Sequence, residues 1–319
     1  MATKNYVHVS VGNFNIDVVA YVDAFPKPDE GLFAREVSLR PGGAATNYAV
    51  AVASYGHTAH LVASVSTDHL IRSFLQEVER LGVKTDHLYF VDESPGFVVV
   101  LVKADGERAM IRYQGANKHL DPSYLSDTLL KQAHLVHFAS VHPSFVQNSI
   151  KRVKMEPIIV SYDPGPFATD VLNYPDVVGS LDLLFLNESE YAKIKSKADL
   201  RSFFKIGLKI LNVKMGSKGA ISIEAGDRCY HGVAKPIRKP VDTTGSGDAF
   251  DAFFNATYLE TGDVTKSLLF GVAAGTYKTG CKGSFILWDP DAFKYQLERA
   301  TVVKRSCKDI ELEDLGLEQ

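Results

Sequence analysis

The chain has 319 residues and a formal net charge of −3, with 45% hydrophobic and 23% charged residues. This composition is typical of a globular protein, and the length suffices for one large domain with an appendage. The balanced charge argues against a nucleic-acid partner, and the lack of a long apolar run argues against a membrane partner. The first residues, MATKNYVHVSVG, indicate a strand rather than a signal peptide, which favours a cytoplasmic location.

The three cysteines, Cys229, Cys281 and Cys307, are scattered along the chain. Their spacing matches neither a zinc site nor a disulfide framework. We therefore expect three incidental free thiols in a reducing cytoplasm.

Short apolar runs alternate with helix-periodic stretches along most of the chain. Strands separated by helical segments predict βαβ units, and hence a mostly parallel sheet covered by helices on both faces. The predicted strands are Tyr6–Val11, His60–Val65, Leu135–Ala139, Ile158–Tyr162, Leu183–Leu186, Ile210–Lys214 and Ala220–Glu224.

Two segments break this rhythm, Val18–Arg40 and Gly96–Tyr113. Both alternate with the period of two that is typical of strands, and the second contains the hairpin signal DGE at residues 105–107. No helix separates their four strands, so they predict a small antiparallel sheet apart from the main one. We therefore divide the chain into an α/β core, residues 1–14, 41–95 and 114–319, and a β-sheet lid, residues 15–40 and 96–113.

The segment KPVDTTGSGDAFDAFF, residues 239–254, places Gly245, Ser246 and Gly247 directly before a predicted helix. A helix N-terminus presents unpaired amide groups and partial positive charge, which makes it an anion site. The segment is neither a P-loop nor a dinucleotide-binding turn, because it lacks the P-loop lysine and no βαβ unit follows it. Such a site suits a phosphoryl group. Asp248 beside it is then either a base for an attacking hydroxyl or only a partner of the helix dipole.

The stretch DTTGSGDAF, Asp242–Phe250, resembles the C-terminal signature of the ribokinase-like, or PfkB, family of carbohydrate and nucleoside kinases. The resemblance extends from about Tyr6 to Asp291. It implies a three-layer αβα fold with a mostly parallel central sheet and a small antiparallel β lid. It also implies phosphoryl transfer from ATP, with Mg²⁺, to a hydroxyl of a small sugar, most simply a primary one. Asp248 would be the general base, and Gly245, Ser246 and Gly247 would form the anion hole.

Further segments similar to family elements imply the sugar side of the site. GNFNID, residues 12–17, implies that Asn15 and Asp17 contact substrate hydroxyls. RPGGAATN, residues 40–47, implies that Gly42 and Gly43 bring the backbone close to the sugar and that Asn47 offers a donor and an acceptor.

The nucleotide side is implied by two other segments and by the signature itself. NESE, residues 187–190, implies Asn187 and Glu190 around the Mg²⁺-bound phosphates, with Glu190 acting through water. VKMGSKGA, residues 213–220, together with the signature, implies nucleotide contacts from Lys214, Gly216, Gly219 and Thr243. Asp163, in YDPGPF, follows another strand, but the family's nearby Asn-x-Arg is absent and its role stays open.

The acceptor is left open. Phe14, Phe33, Phe97 and Tyr113 could line a pocket for a base, as in a nucleoside kinase, although lid aromatics are ordinarily core. Arg112, with Arg35, could pair with the carboxylate of a 2-keto-3-deoxy sugar acid, although exposed arginines are usually solvated.

Other properties are open as well. A non-catalytic sugar- or nucleotide-binding relative is the alternative from another class, which Asp248 and the complete glycine loop disfavour. The resemblance leaves a K⁺ requirement and the choice of ATP or ADP undecided. The exposed face of the lid could pair with a second copy to form a homodimer.

Overall fold

The structure is a computed structural model that describes residues 5–103 and 107–307. Its strands in chain order are β1 (Val7–Gly12), β2 (Asn15–Val22), β3 (Glu36–Gly42), β4 (Thr58–Ser66), β5 (Leu88–Val91), β6 (Gly96–Lys103), β7 (Arg108–Tyr113), β8 (Leu135–Ala139), β9 (Ile159–Asp163), β10 (Leu183–Asn187), β11 (Ile210–Lys214), β12 (Ala220–Glu224), β13 (Arg228–Ala234) and β14 (Ala300–Arg305).

The helices are α1 (Ala44–Tyr55), α2 (His69–Arg80), α3 (Asp127–Leu130), α4 (Pro143–Val153), α5 (Pro175–Gly179), α6 (Glu188–Lys195), α7 (Arg201–Lys205), α8 (Ser246–Thr261), α9 (Val264–Thr279) and α10 (Pro290–Leu297). Within the described ranges, none of them combines the length and the apolar character that crossing a bilayer requires.

The large sheet has the strand order β14-β13-β12-β11-β10-β9-β8-β1-β4-β5. The strands from β11 to β5 are parallel, and β12, β13 and β14 add an antiparallel edge. The predicted mostly parallel sheet is confirmed, and every predicted strand is present with small shifts at its ends. The sequence did not indicate β5, β13 and β14, because β5 is short and the other two carry charged residues at the edge of the sheet.

Helices cover both faces of this sheet, because alternate residues of each parallel strand point to opposite sides. In β10, Phe185 packs edge-on against Phe254 of α8, with ring centroids 5.6 Å apart. Its neighbours Leu184 and Leu186 belong instead to the cluster that contains Val146 of α4. Two apolar cores therefore lie on the two sides of the sheet, which confirms the three-layer αβα fold.

The small sheet has the order β3-β2-β6-β7 and is separate from the large one, as predicted. β2 pairs antiparallel with β3 and β6 with β7, but the central pair, β2 and β6, is parallel. The predicted turn residues 105 and 106 lie outside the described residues. The register places Arg40, Asp17, Val98 and Arg112 in one cross-strand row, and Leu39, Val18, Val99 and Ile111 in the next row on the opposite face.

The expectation of three free thiols was wrong for two of them. Cys229 in β13 and Cys307 form a disulfide with their Cα atoms 5.4 Å apart, whereas the buried Cys281 keeps a free thiol. The antiparallel pairing of β13 with β14 places Cys229 opposite Arg305, two residues before Cys307. This pairing joins cysteines 78 positions apart, a proximity that their spacing alone does not reveal.

The parallel strands end at one edge of the large sheet. β1 ends at Gly12, β8 at Ala139, β9 at Asp163, β10 at Asn187 and β11 at Lys214. Ligands of open α/β sheets bind outside the carboxyl ends of the strands. The fold therefore brings the predicted site residues of five segments to one edge.

Candidate active site

A cavity of about 620 Å³ lies between this edge and the small sheet. Five of the predicted sugar-side residues line it, namely Asn15, Asp17, Gly43, Asn47 and Arg112. The sixth, Gly42, does not line the cavity but lies behind Asp17, because a Cβ added to Gly42 would be only 2.1 Å from Asp17 Oδ2. Gly42 thus lets the backbone pass directly behind this carboxylate.

The glycine loop opens helix α8 beside the cavity. Gly245 is the N-cap residue with a φ of 76°, and a Cβ on it would lie 2.0 Å from the carbonyl oxygen of Ser284. Only glycine meets both constraints at low cost. Since Gly245 offers no side chain to cap α8, no side chain competes with an anion for the amide groups of the first turn, although the Ser246 amide also donates to the Thr243 carbonyl at 3.2 Å.

Asp248 lies in that first turn and connects it to the sugar side. Its Oδ2 accepts a hydrogen bond of 2.7 Å from Asn47 Nδ2. Burial raises the pKa of Asp248 to about 6, against the opposing effects of Asn47 and the Lys214 charge. Asp248 is therefore ionised at neutral pH with a proton affinity above that of an ordinary aspartate.

Asp17 reaches the cavity from β2. Burial, together with the charges of Asp248 and Asp242, raises the pKa of Asp17 to about 7, while the Arg112 charge has the opposite effect. Because Asp17 and Asp248 repel each other electrostatically, a ligand that donates hydrogen bonds to them, such as a polyhydroxylated one, suits the space they share.

Asn15 is held at the base of the small sheet, where the register aligns it with Gly42 on one side and Gly96 on the other. Asn117 Nδ2 donates to Asn15 Oδ1 at 2.7 Å, and Asn117 Oδ1 accepts from the Phe14 amide at 3.0 Å. The sequence analysis missed Asn117, which also lines the cavity. It belongs to no motif and lies 102 residues from Asn15, so only the fold reveals their contact.

Lys214 was predicted to lie near the triphosphate, and the structure places it beneath the glycine loop. Its Nζ lies 3.3 Å from the point that a Cβ on Gly247 would occupy. It pairs with Asp163 at 2.6 Å and with both oxygens of Asp251 at 2.9 Å. Burial disfavours the charge of Lys214, but the two carboxylates outweigh it and raise its pKa. Asp251 is fully buried and was not singled out from the sequence.

Asn187 and Glu190 form a capping box at the start of α6. Asn187 Oδ1 accepts from the Glu190 amide at 2.9 Å, and Glu190 Oε2 accepts from the Asn187 amide at 2.8 Å. Burial and the charge of Asp163 together raise the pKa of Glu190 to about 7. Burial and Asp163 both disfavour the ionised carboxylate of Glu190, and a nearby cation would offset them, so the pair is compatible with the predicted Mg²⁺ role.

Most of the remaining predicted residues lie outside the cavity lining. Gly216 and Gly219 delimit a short turn between β11 and β12, and the Thr243 carbonyl accepts from the Ser246 amide at 3.2 Å. Arg35 pairs with Asp23 at 3.2 Å. Of the four aromatics, Phe97 and Tyr113 line the cavity, Phe14 is core and Phe33 is 98% exposed.

Comparisons with known proteins agree with this arrangement. The sequence profile described as pfkB family carbohydrate kinase matches residues 7–289. The chain is similar to an ATP-dependent ribose-1-phosphate kinase of Halopiger xanaduensis, with 30% identity over 278 residues that cover 86% of this chain and 93% of that protein. It is also similar to a nucleoside kinase of Methanothermobacter thermautotrophicus, with 28% identity over 277 residues, 84% of this chain and 88% of that protein.

Among solved structures, the ribokinase of Arabidopsis thaliana complexed with ribose and ATP has a TM-score of 0.79 at 25% identity. The match covers 93% of this chain and 99% of that one. The similarity therefore includes both sheets and the cavity between them.

Lys214→Met tests the charge cluster beneath the loop. The variant leaves Asp163 and Asp251 buried without their ammonium partner, so we expect a loss of about 3–5 kcal/mol in the free energy of unfolding at pH 8. The two carboxylates would then bind protons more tightly in the folded than in the unfolded state. The loss should therefore shrink as the pH falls towards about 5. Urea unfolding at both pH values measures it.

The matched control is Lys218→Met. Lys218 pairs at 3.1 Å with Glu188, and both side chains are about one-third exposed. This variant should lose less than about 1 kcal/mol at either pH. Equal losses from the two variants would contradict the importance of the buried cluster.

Proposed function

Because the chain belongs to the pfkB family of carbohydrate kinases, we propose that it transfers the terminal phosphoryl group of ATP to a hydroxyl of a small sugar. The observation that carries the proposal is the 2.7 Å hydrogen bond between Asn47, which lines the cavity, and Asp248, which lies in the first turn of α8. It couples the acceptor cavity to the anion-binding loop. A primary hydroxyl is the simplest acceptor because it is the least hindered.

Asp248 is the proposed general base. An acceptor hydroxyl held by Asn15, Asp17 and Asn47 would lie beside its carboxylate, which takes the proton as the oxygen attacks phosphorus. The amide groups of Gly245, Ser246 and Gly247 would stabilise the charge of the transferring group. A pKa of about 6 leaves Asp248 ionised near neutral pH and basic enough to accept a proton.

The nucleotide side is proposed to include Thr243, Lys214, Gly216 and Gly219. Glu190, acting through water, and Asn187 would hold Mg²⁺, which when bound spreads the negative charge of the phosphates. Lys214 already has two carboxylate partners, so its contribution in this proposal is mainly to support the loop from below.

We propose that the small sheet, within residues 15–40 and 96–113, is a lid. Val98, Val100 and Met110 on its strands line the cavity and would cover a bound sugar with apolar side chains. Closure would exclude water, which competes with the sugar for the phosphoryl group.

A second candidate acceptor is a sugar that carries an anionic group. Arg112 lines the cavity, and no carboxylate of the described residues forms an ion pair with it. Arg112 interacts electrostatically with Asp17 without forming an ion pair, so a phosphate or carboxylate on the sugar could pair with it. Phe97 and Tyr113 offer some support for a nucleoside, because both line the cavity and could contact a base.

The function is tested by ADP release with ATP and Mg²⁺ over ribose, ribose 1-phosphate, a 2-keto-3-deoxy sugar acid and adenosine. We expect turnover with at least one of the first two. Turnover confined to adenosine would establish the nucleoside alternative. ATP binding without ADP release on any acceptor would favour a non-catalytic relative.

The variant Asp248→Asn tests whether Asp248 acts as a general base or only stabilises the helix through its dipole. Asparagine keeps the shape and remains a good residue at a helix start, so the variant should fold. The amide cannot take the proton, and kcat should fall by about 10² to 10⁴. Steady-state kinetics measure this, and calorimetry should find nucleotide affinity little changed. Near-normal turnover would remove Asp248 from catalysis.

The pH profile adds a second readout for the same residue. A base must be deprotonated to act, so wild-type kcat/KM, which reports the free enzyme, should rise as the pH passes through about 6, where Asp248 loses its proton. The residual activity of Asp248→Asn should lack that rise.

Asp17→Ala tests the sugar side. The lost hydrogen bonds to a charged group are worth about 1.5–3 kcal/mol, so the KM for the sugar should rise about ten- to a hundredfold. Nucleotide affinity should stay unchanged, as calorimetry would report. Asp23→Ala is the control, because Asp23 pairs with Arg35 and does not line the cavity. An unchanged sugar KM in Asp17→Ala would exclude this carboxylate from the site.

We further propose that the outer face of the lid pairs with a second copy of the chain. Its row of Leu39, Val18, Val99 and Ile111 is apolar, and Leu39 and Ile111 are 47% and 69% exposed. A small sheet with such a face is poorly stable alone.

Light scattering after size exclusion should give about twice the chain mass of 35.0 kDa. Ile111→Lys should give the monomer mass, because it places a charge in the apolar row. Met155→Lys, at an 81% exposed site after α4, should leave the dimer intact. A monomeric wild type would refute this interface.

A further inference from the structure

Lys278 in α9 is fully buried, which is rare for a lysine. Its Nζ donates hydrogen bonds to two main-chain carbonyl oxygens, that of Asp242 at 3.1 Å and that of Cys281 at 3.2 Å. Within the described ranges no carboxylate forms an ion pair with it. Burial lowers the pKa of Lys278, whereas the charges of Asp242 and Asp248 favour its ammonium form.

The two carbonyls belong to the two segments that together support the anion-binding loop. Asp242 begins the stretch that leads to Gly245, and Cys281 begins the segment that follows α9. The Asp242 carboxylate joins them too, because it accepts from the Thr244 amide and the Gly283 amide, each at 2.9 Å. Gly245 packs directly against the Ser284 carbonyl. The Lys278 ammonium therefore lies between the segment that leads into the glycine loop and the segment after α9 that packs against it.

Main-chain carbonyl oxygens around a buried cation are also the coordination that K⁺ adopts in proteins, where they replace its water. An ammonium group is similar to K⁺ in charge and size. The family resemblance leaves a K⁺ requirement open, but here a side chain of the protein occupies the space between these carbonyls. The residues at this junction therefore do not fit an additional monovalent cation.

We propose that the Lys278 ammonium is the built-in cation of the phosphoryl-binding loop, and that the enzyme consequently needs no monovalent cation from solution. Lys278 is a positioning residue: it fixes the Asp242 carbonyl and, through the backbone, the amide groups of Gly245 to Gly247. The inference rests on the proposed function to the extent that this loop binds the transferring phosphoryl group.

The first test uses the wild-type protein with Mg²⁺ and ATP, with tetramethylammonium as the only monovalent cation. This ion is too large to fit between two carbonyls. Adding K⁺, Na⁺ or NH₄⁺ at constant ionic strength should change kcat by less than about twofold, since the cation position is already filled. Activation of severalfold by K⁺ would overturn the proposal.

The second test compares Lys278→Ala with Lys278→Met. In tetramethylammonium the alanine variant should lose about 10²-fold in kcat, because the loop amides are no longer held in place. NH₄⁺ or K⁺ should recover about tenfold or more of this loss by entering the vacated space, and Li⁺ should not. Methionine fills the same space without charge, so its loss should not be recovered by any cation. Full activity of the alanine variant, or equal recovery of both variants, would contradict the cation role.

Thermal melting keeps the test independent of the acceptor. NH₄⁺ and K⁺ should raise the melting temperature of Lys278→Ala relative to tetramethylammonium, while the wild type and Lys278→Met should not respond. If no acceptor is phosphorylated, the proposed function fails but this comparison still decides the role of Lys278. Identical melting responses of all three proteins would refute it.

Discussion

The hydrogen bond from Asn47 to Asp248 joins parts of the chain that are 201 residues apart in sequence. Asn47 is on α1, directly after β3 of the small sheet, and Asp248 is on α8, directly after the glycine loop. The two helices pack side by side on one face of the large sheet. Any shift between them changes the distance between the acceptor cavity and the anion-binding loop. Phosphoryl transfer depends on that distance, because its catalysis is largely positioning.

Negative charge dominates the site around this bond. Burial raises the pKa values of Asp17, Asp248 and Glu190 to between about 6 and 7. Asp163 behaves differently, because Lys214 outweighs its burial and lowers its pKa. Lys214 thus balances the charge of the carboxylates beneath the loop. The carboxylates of Asp17, Asp248 and Glu190 are left for a ligand to balance. Such a division favours binding of donors and cations where the chemistry occurs.

The sequence predicted the elements whose signals are local. The alternating pattern indicated the separate small sheet, and the motifs located Asn15, Asp17 and Asn47, which the fold brings to one cavity. What it missed depends on tertiary pairing. Asn117 belongs to no motif, and Asp251 occupies what looks like an ordinary helix position. The Cys229–Cys307 disulfide likewise arises from the pairing of β13 with β14.

Gly42, Asn15 and Gly96 align in one row at the base of the small sheet, and this row would be the pivot if the sheet closes as the proposed lid. Asn15 sits on the pivot and Asp17 is two residues beyond it, so a rocking motion of the sheet would barely displace them. Met110 and Arg112 are on the outer strand β7 and would travel further. Asn15 and Asp17 would then contact the groups that different acceptors share even while the sheet is open. Met110 and Arg112 would contact the groups that differ between acceptors only once the sheet has closed.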